Sequence, residues 1–285
     1  MSQCSERTKS PVRAAVRLGP RSIAVLAVAS FAGLMMFAWP LLFHPDQDAT
    51  RVDPPFFFLL LLPIVVGVVI AELTEGGMDS KALAMLGVLT AINAALRSLG
   101  AGTAGVELVF FLLILAGRVF GAGFGFVLGC TSLFASALLT SGVGPWLPFQ
   151  MLASAWIGMG AGLLPKRLTG RAEIAVLVVY GIVCAYFFGV LMNLSSWPFI
   201  LGIEVTGHAG SLSFVPGDPL LENLHRFGVY TLLTSTGGWD TGRAITNSIA
   251  IVTLGPAILA TLRRAARRAS YGVVSRRDDA PTLVP

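Results

Sequence analysis

Eight apolar segments with almost uncharged interiors occupy most of this chain: Ser22 to Phe43, Phe56 to Ala71, Ala82 to Leu96, Val106 to Val119, Gly121 to Thr140, Leu147 to Leu164, Ile174 to Ile200 and Ala244 to Leu262. Polar stretches between them are short, so a water-soluble fold would have too little polar surface to cover itself. Hydrophobic residues make up 55% of the sequence and charged residues only 12%, with a mean hydropathy of +0.78, which is the balance of a chain dissolved in lipid. The reading is an all-α integral membrane protein. Several segments fall short of the ~20 residues that cross a bilayer core, so their ends must borrow loop residues or sit where the membrane thins.

The basic residues give a direction. Arg7, Lys9, Arg13, Arg17 and Arg21 precede the first segment, and Arg118, Lys166, Arg167 and Arg171 follow later ones. Arg263, Arg264, Arg267, Arg268, Arg276 and Arg277 form the tail. On an eight-helix path all of these fall on one side, which by the positive-inside rule is cytoplasmic, with both termini there. The acidic Glu72 to Lys81 turn falls on the same side, although carboxylates carry little weight in that rule. Topology and anionic lipid account for the pI near 9.5 without nucleic acid. The first segment, at about 22 residues, is longer than a signal-peptide core of roughly 7 to 15 and lacks a small-residue cleavage site after it, so it is expected to remain as an anchor. Cys4, Cys130 and Cys184 make no disulfide framework, one being in a tail and two in apolar helices.

The chain divides into a basic cytoplasmic tail at 1–21, a two-helix extension at 22–80, a six-helix core at 81–268 and a second cytoplasmic tail at 269–285. Both tails are expected to need no fold of their own. Within the core, residues Leu201 to Arg243 form a long external segment with a short helix expected over Leu221 to Thr234. It either lies over the outer face as a lid or dips part-way into the membrane. No internal repeat is evident, which argues against a secondary transporter made of inverted halves. The glycines Gly117, Gly121, Gly123, Gly125 and Gly129, and Gly158, Gly160 and Gly162, lack the preceding strand and the Lys-Ser/Thr ending of a phosphate loop. They read as close helix packing.

Chemistry-bearing residues are sparse. The sequence has no HExxH, no paired aspartates of a lipid transferase and no Walker lysine, and His44, His208 and His225 are scattered through external segments. Neither a metal nor a cofactor is expected. The polar and aromatic residues instead gather at the external helix ends: Asn93, Arg97, Glu107, Trp146, Gln150, Asn193, Trp197, Tyr230, Trp239 and Asn247, with Ser196, Thr234, Asp240 and Arg243 nearby. Aromatic walls with a few placed polar groups suit a small organic ligand. Tryptophan and tyrosine also form interfacial belts, and Arg97 with Glu107 could be a loop ion pair worth about 0 to 1 kcal/mol. The asparagines are the sharper candidates, because a buried amide needs partners that a ligand can supply. On the third segment Gly87, Ala91 and Ala95 repeat every four residues, the small-xxx-small spacing that lets two helix backbones approach in lipid.

Four stretches carry a family resemblance: LGVLTAINAALRSLGAGTAGVE, FFLLILAGRVFGAGFGFVLGCTSLFASALLTSGVGPWLPFQMLASAWIGMGAGLLP, MNLSSWPF and STGGWDTGRAITN. Over roughly Lys81 to Arg268 the chain resembles the substrate-binding S components of energy-coupling factor vitamin transporters, in an actinobacterial-type branch with extra N-terminal helices. The resemblance implies a six-helix core in a bacterial cell membrane that captures a vitamin or related micronutrient outside. The core then works with a transmembrane coupling subunit and two cytoplasmic ATPases. It also implies that Gly87, Ala91 and Ala95 form the surface that docks on the coupling subunit. Cobalamin, other B vitamins, queuosine precursors and metal-related cargos occur in that family; the long external segment is compatible with cobalamin, but no residue selects among them. A membrane enzyme acting on a lipid or prenyl substrate, and a non-catalytic assembly subunit, are the alternative readings.

Overall fold

The computed structural model describes residues 19–42, 64, 65, 67, 68, 71, 80–100, 105–200, 202, 203 and 210–278, and within them the regular structure is helical. Helix α1 covers Pro20–Leu42, α2 Ser80–Gly100, α3 Val109–Phe120, α4 Ala122–Leu139, α5 Leu147–Leu163 and α6 Gly170–Ser196. A 3-10 turn follows at Trp197–Phe199. Helix α7, Leu220–Thr231, continues through a π-helical stretch, Leu232–Asp240, into α8, Thr241–Thr253, and α9 covers Gly255–Asp278. Of the expected Phe56 to Ala71 segment, residues 64, 65, 67, 68 and 71 are helical and the rest lies outside the described residues.

Three helices are long and apolar enough to cross a membrane, Pro20–Ala38, Ala122–Leu139 and Gly170–Phe199; the pair Leu220–Thr253 and Gly255–Arg268, bent by 66°, passes the same test together. Helix α3 is different. Its 12 residues rise only about 18 Å, well short of a ~30 Å hydrocarbon core. It tolerates this because protein surrounds it: α2, α4, α5, α6, α8 and α9 all touch it, and ten of its residues are buried.

Glycines set how closely this centre packs. A Cβ on Gly125 or on Gly117 would collide with the Gly158 carbonyl oxygen, and one on Gly129 would press on the Ala155 backbone. Helices α4 and α5, the most extensive helix pair, therefore meet backbone to backbone, and α3 joins the same seam. In lipid no hydrophobic force drives helix association, so such contact-rich seams supply the attraction. Gly121, at φ 101°, makes the sharp turn from α3 to α4.

Two expectations change. The helix expected over Leu221 to Thr234 is not an isolated short one, because α7, the π-helical stretch and α8 run on without a break from Leu220 to Thr253. The apolar residues of that region are spread along one long helical path, which the mixed polarity of Leu221 to Thr234 concealed. The second difference is the tail beyond Ser270, whose backbone stays helical to Asp278 despite its polar composition.

At one end of the bundle, Arg118, at the C-terminal end of α3, donates from Nε to Glu173 Oε1 of α6 at 2.8 Å. Its terminal nitrogens donate to the carbonyls of Leu164 and Leu168. Arg263 of α9 donates to the same carboxylate at 2.6 Å. The opposite end of α3 begins beside Glu107, where the polar groups of a second cluster meet.

Candidate functional site

Helix α2 turns three different faces to its surroundings. Ala82, Leu86, Leu89 and Ala94 are buried in the bundle. A polar ladder ties the helix to α4: Thr90 and Thr131 share a hydrogen bond of 2.8 Å, Asn93 Nδ2 donates to Ser132 Oγ at 3.0 Å, and Arg97 donates to Ser136 Oγ at 3.0 Å. Each rung between helices is worth about 0.6 kcal/mol in a membrane, so the ladder fixes register more than it adds stability. Ser80, Ala84, Gly87, Ala91, Ala95 and Ser98 line the exposed third face, and a Cβ on Gly87 would meet nothing within 4 Å.

The last rung opens into a cavity of about 240 Å³ walled by residues of six elements, among them Arg97, Glu107, Ser136, Gln150, Phe188, Trp239 and Arg243. Arg97 Nη2 donates to Gln150 Oε1 at 2.8 Å. Glu107, just before α3, receives Arg243 Nε at 2.6 Å on Oε2, and its Oε1 lies 3.9 Å from Arg97 Nε. Behind the wall Asp240 is fully buried. It accepts from Arg243 Nη1 at 2.9 Å and from Ser235 Oγ at 2.7 Å. Gly189 makes room for that carboxylate, since a Cβ there would overlap its oxygens. The Arg243 guanidinium also stands over the Phe188 ring, 5.2 Å from its centroid.

Backbone geometry completes the wall. Gly105 has φ +79°, and a Cβ on it would press 2.5 Å from the Trp239 carbonyl oxygen, so only glycine lets this turn lie against the start of α8. Trp239 sits in the π-helical stretch, a kind of turn that is frequent at functional sites. Asn247 Nδ2 ties the Glu107 and Arg243 carbonyls together, each at 2.8 Å.

The sequence candidates thus separate into groups. Arg97, Glu107, Gln150 and Trp239 come together on the cavity wall. Asn93 and Asn247 are wholly buried one helical turn below Arg97 and Arg243, and each keeps one amide oxygen without a partner. Asn193 is half-buried, its Nδ2 enclosed without an acceptor, while Trp146 is half exposed and off the wall. Trp197 is fully buried elsewhere: its Nε1 donates to the Leu212 carbonyl at 2.7 Å, and its rings pack on Phe214 and Phe227. Tyr230 packs against that same cluster, so both aromatics help hold the 210–219 segment to α7. Ser136, Thr140 and Phe188 are cavity residues that the sequence reading passed over. The first two had a signal, because Ser132, Ser136 and Thr140 recur every four residues along a mostly apolar α4 and its C-cap; Phe188 had none.

Two of the histidines, His44 and His208, and Cys4 lie outside the described residues; Cys130 and Cys184 are buried free thiols. Among the described residues no group of three His, Cys, Asp or Glu side chains could hold a metal ion.

The model of the family described as the substrate-specific component of ECF transporters matches residues 81–262, more than half of the chain. The chain belongs to that family. It is accordingly a transport subunit rather than an enzyme, of the kind that associates with a coupling subunit and ATPases. No curated protein and no solved structure matches it.

Proposed function

We propose that this chain captures a vitamin or similar micronutrient in the cavity beside Arg97, on the outer side of a bacterial cell membrane, and releases it inward when a coupling subunit and two ATPases act on it. The observation that carries this reading is the division of labour on α2. Its end lends Arg97 to the cavity, while Gly87, Ala91 and Ala95 stand exposed along the same helix. Small residues on an unpartnered face are where a second helix backbone can come close. The six-helix core over 81–268, both termini in the cytoplasm and Arg118, Glu173 and Arg263 at the inner end follow the same scheme, because the N-terminal basic cluster, Arg118, Lys166, Arg167, Arg171 and the basic tail then share the inner side.

The first extra helix is also compatible with docking: α1 packs on α5 and α6, where Trp156 Nε1 donates to Ser30 Oγ at 2.9 Å and Phe37 meets Phe149, and among the described residues nothing stands within 4 Å of a Cβ built on Gly87.

Ala91→Trp tests the docking face. The isolated variant is expected to keep its ligand-induced thermal stabilisation. Co-purification with the coupling subunit and ATP-driven uptake in proteoliposomes should both disappear; undiminished uptake refutes the assignment.

A further inference from the structure

The charges at the cavity are unevenly shared. Arg97, Arg243 and Glu107 stand on the wall and Asp240 lies just behind it, two cations and two anions in all. Glu107 is committed to Arg243 at 2.6 Å, and Arg243 has a second carboxylate behind it, Asp240, at 2.9 Å. Arg97 has no carboxylate at hydrogen-bond distance. It donates to two neutral oxygens, Ser136 Oγ at 3.0 Å and Gln150 Oε1 at 2.8 Å, and Glu107 stays 3.9 Å from its Nε. The neutral partners hold the guanidinium in place and leave donors over.

Resting on the reading that this cavity is the substrate site, we propose that the substrate is a small organic monocarboxylate whose carboxylate pairs with Arg97 and whose flat or apolar body lies against Trp239 and Val106. A guanidinium presents paired N–H groups that match the two oxygens of a carboxylate. Asp240 and Glu107 both bond to Arg243, so Arg97 is the guanidinium with donors left over for a ligand. A phosphate monoester would bring a second negative charge to a cluster that already holds two carboxylates. The body needs no further ions: Val106, Phe188 and Trp239 supply apolar and aromatic surface, and Thr140 a hydroxyl.

The test uses purified full-length protein and probes matched in shape that differ in charge: nicotinate against nicotinamide, and 4-aminobenzoate against 4-aminobenzamide, followed by titration calorimetry and thermal shift. At least one acid should bind and raise the unfolding temperature while its amide does not. Arg97→Gln should weaken that acid about 10- to 100-fold, the loss expected for a charged hydrogen-bonded pair, and Trp239→Ala should weaken it too. Amides that bind as well as the acids, or acids that fail to bind, overturn the proposal; this acid-to-amide comparison stands even if Arg97→Gln does not fold. Amide binding that Trp239→Ala abolishes keeps the cavity as the substrate site and removes only the carboxylate. Acid binding that neither variant changes removes the cavity itself as the site.

Discussion

At the residue scale, what separates a buried ion pair from a binding group is how many counter-charges surround it. Arg243 sits between Glu107 and Asp240, and burying such an arrangement is tolerable only because each charge is paired and hydrogen-bonded. Arg97 shares the neighbourhood but has neutral contacts, so it keeps capacity for a ligand. A single hydrogen atom's place controls the first of these groups. Gly189→Ala would put a methyl into the Asp240 carboxylate, force it off Arg243 and leave Arg243 with Glu107 as its one carboxylate partner. The expected result is a loss of about 1 to 3 kcal/mol of stability, typical of overpacking, with weaker substrate binding in a titration. Unchanged binding would show that Asp240 does not tune the wall.

At the element scale, glycines that look alike in sequence have opposite roles. Gly125 lies in the α4–α5 seam against the Gly158 carbonyl, whereas Gly87 faces open space. Gly125→Ala should lower stability by about 1 to 3 kcal/mol, since backbone rather than a flexible side chain stands in the way. Gly87→Ala should leave the isolated subunit unchanged or raise its stability by about 0.5 to 1 kcal/mol, the usual difference between glycine and alanine within a helix. Thermal unfolding of the two variants side by side in one detergent measures the contrast, and equal losses would mean that Gly87 is packed within the chain. The polar ladder belongs to the same scale. Asn93 donates from Nδ2 to Ser132 while its Oδ1 stays unpartnered, and the four-residue spacing of Asn93 and Arg97 matches that of Ser132 and Ser136 on α4.

At the scale of the whole molecule, the two ends of the bundle are separate devices. The end near Glu173 gathers α3, α6, α9 and the carbonyls of the α5–α6 connection around one carboxylate. Glu173→Ala would leave Arg118 buried without its counter-charge, at a cost of about 3 to 5 kcal/mol. Its unfolding temperature should fall sharply while substrate affinity at low temperature stays as in the parent, because the cavity is at the far end of α3; a change in affinity would show that the ends are mechanically linked. The sequence by itself determined the helical membrane class, the extents of α1 through α6 to within a few residues and the tight glycine packing. These follow from local pattern: unbroken apolarity, the spacing of small residues and the positions of charges; the family came instead from the likeness of whole stretches between 81 and 268 and from the family match over 81–262. The sequence could not determine that Trp197 is an anchor for the 210–219 segment while Trp239 is on the wall, that Phe188 joins them there, or that Arg97 and Arg243, similar on paper, differ in their counter-charges. Those are contacts between helices distant along the chain, set by the crossing of α2, α4, α6 and α8 around a short buried α3, and only tertiary packing decides which side chains meet.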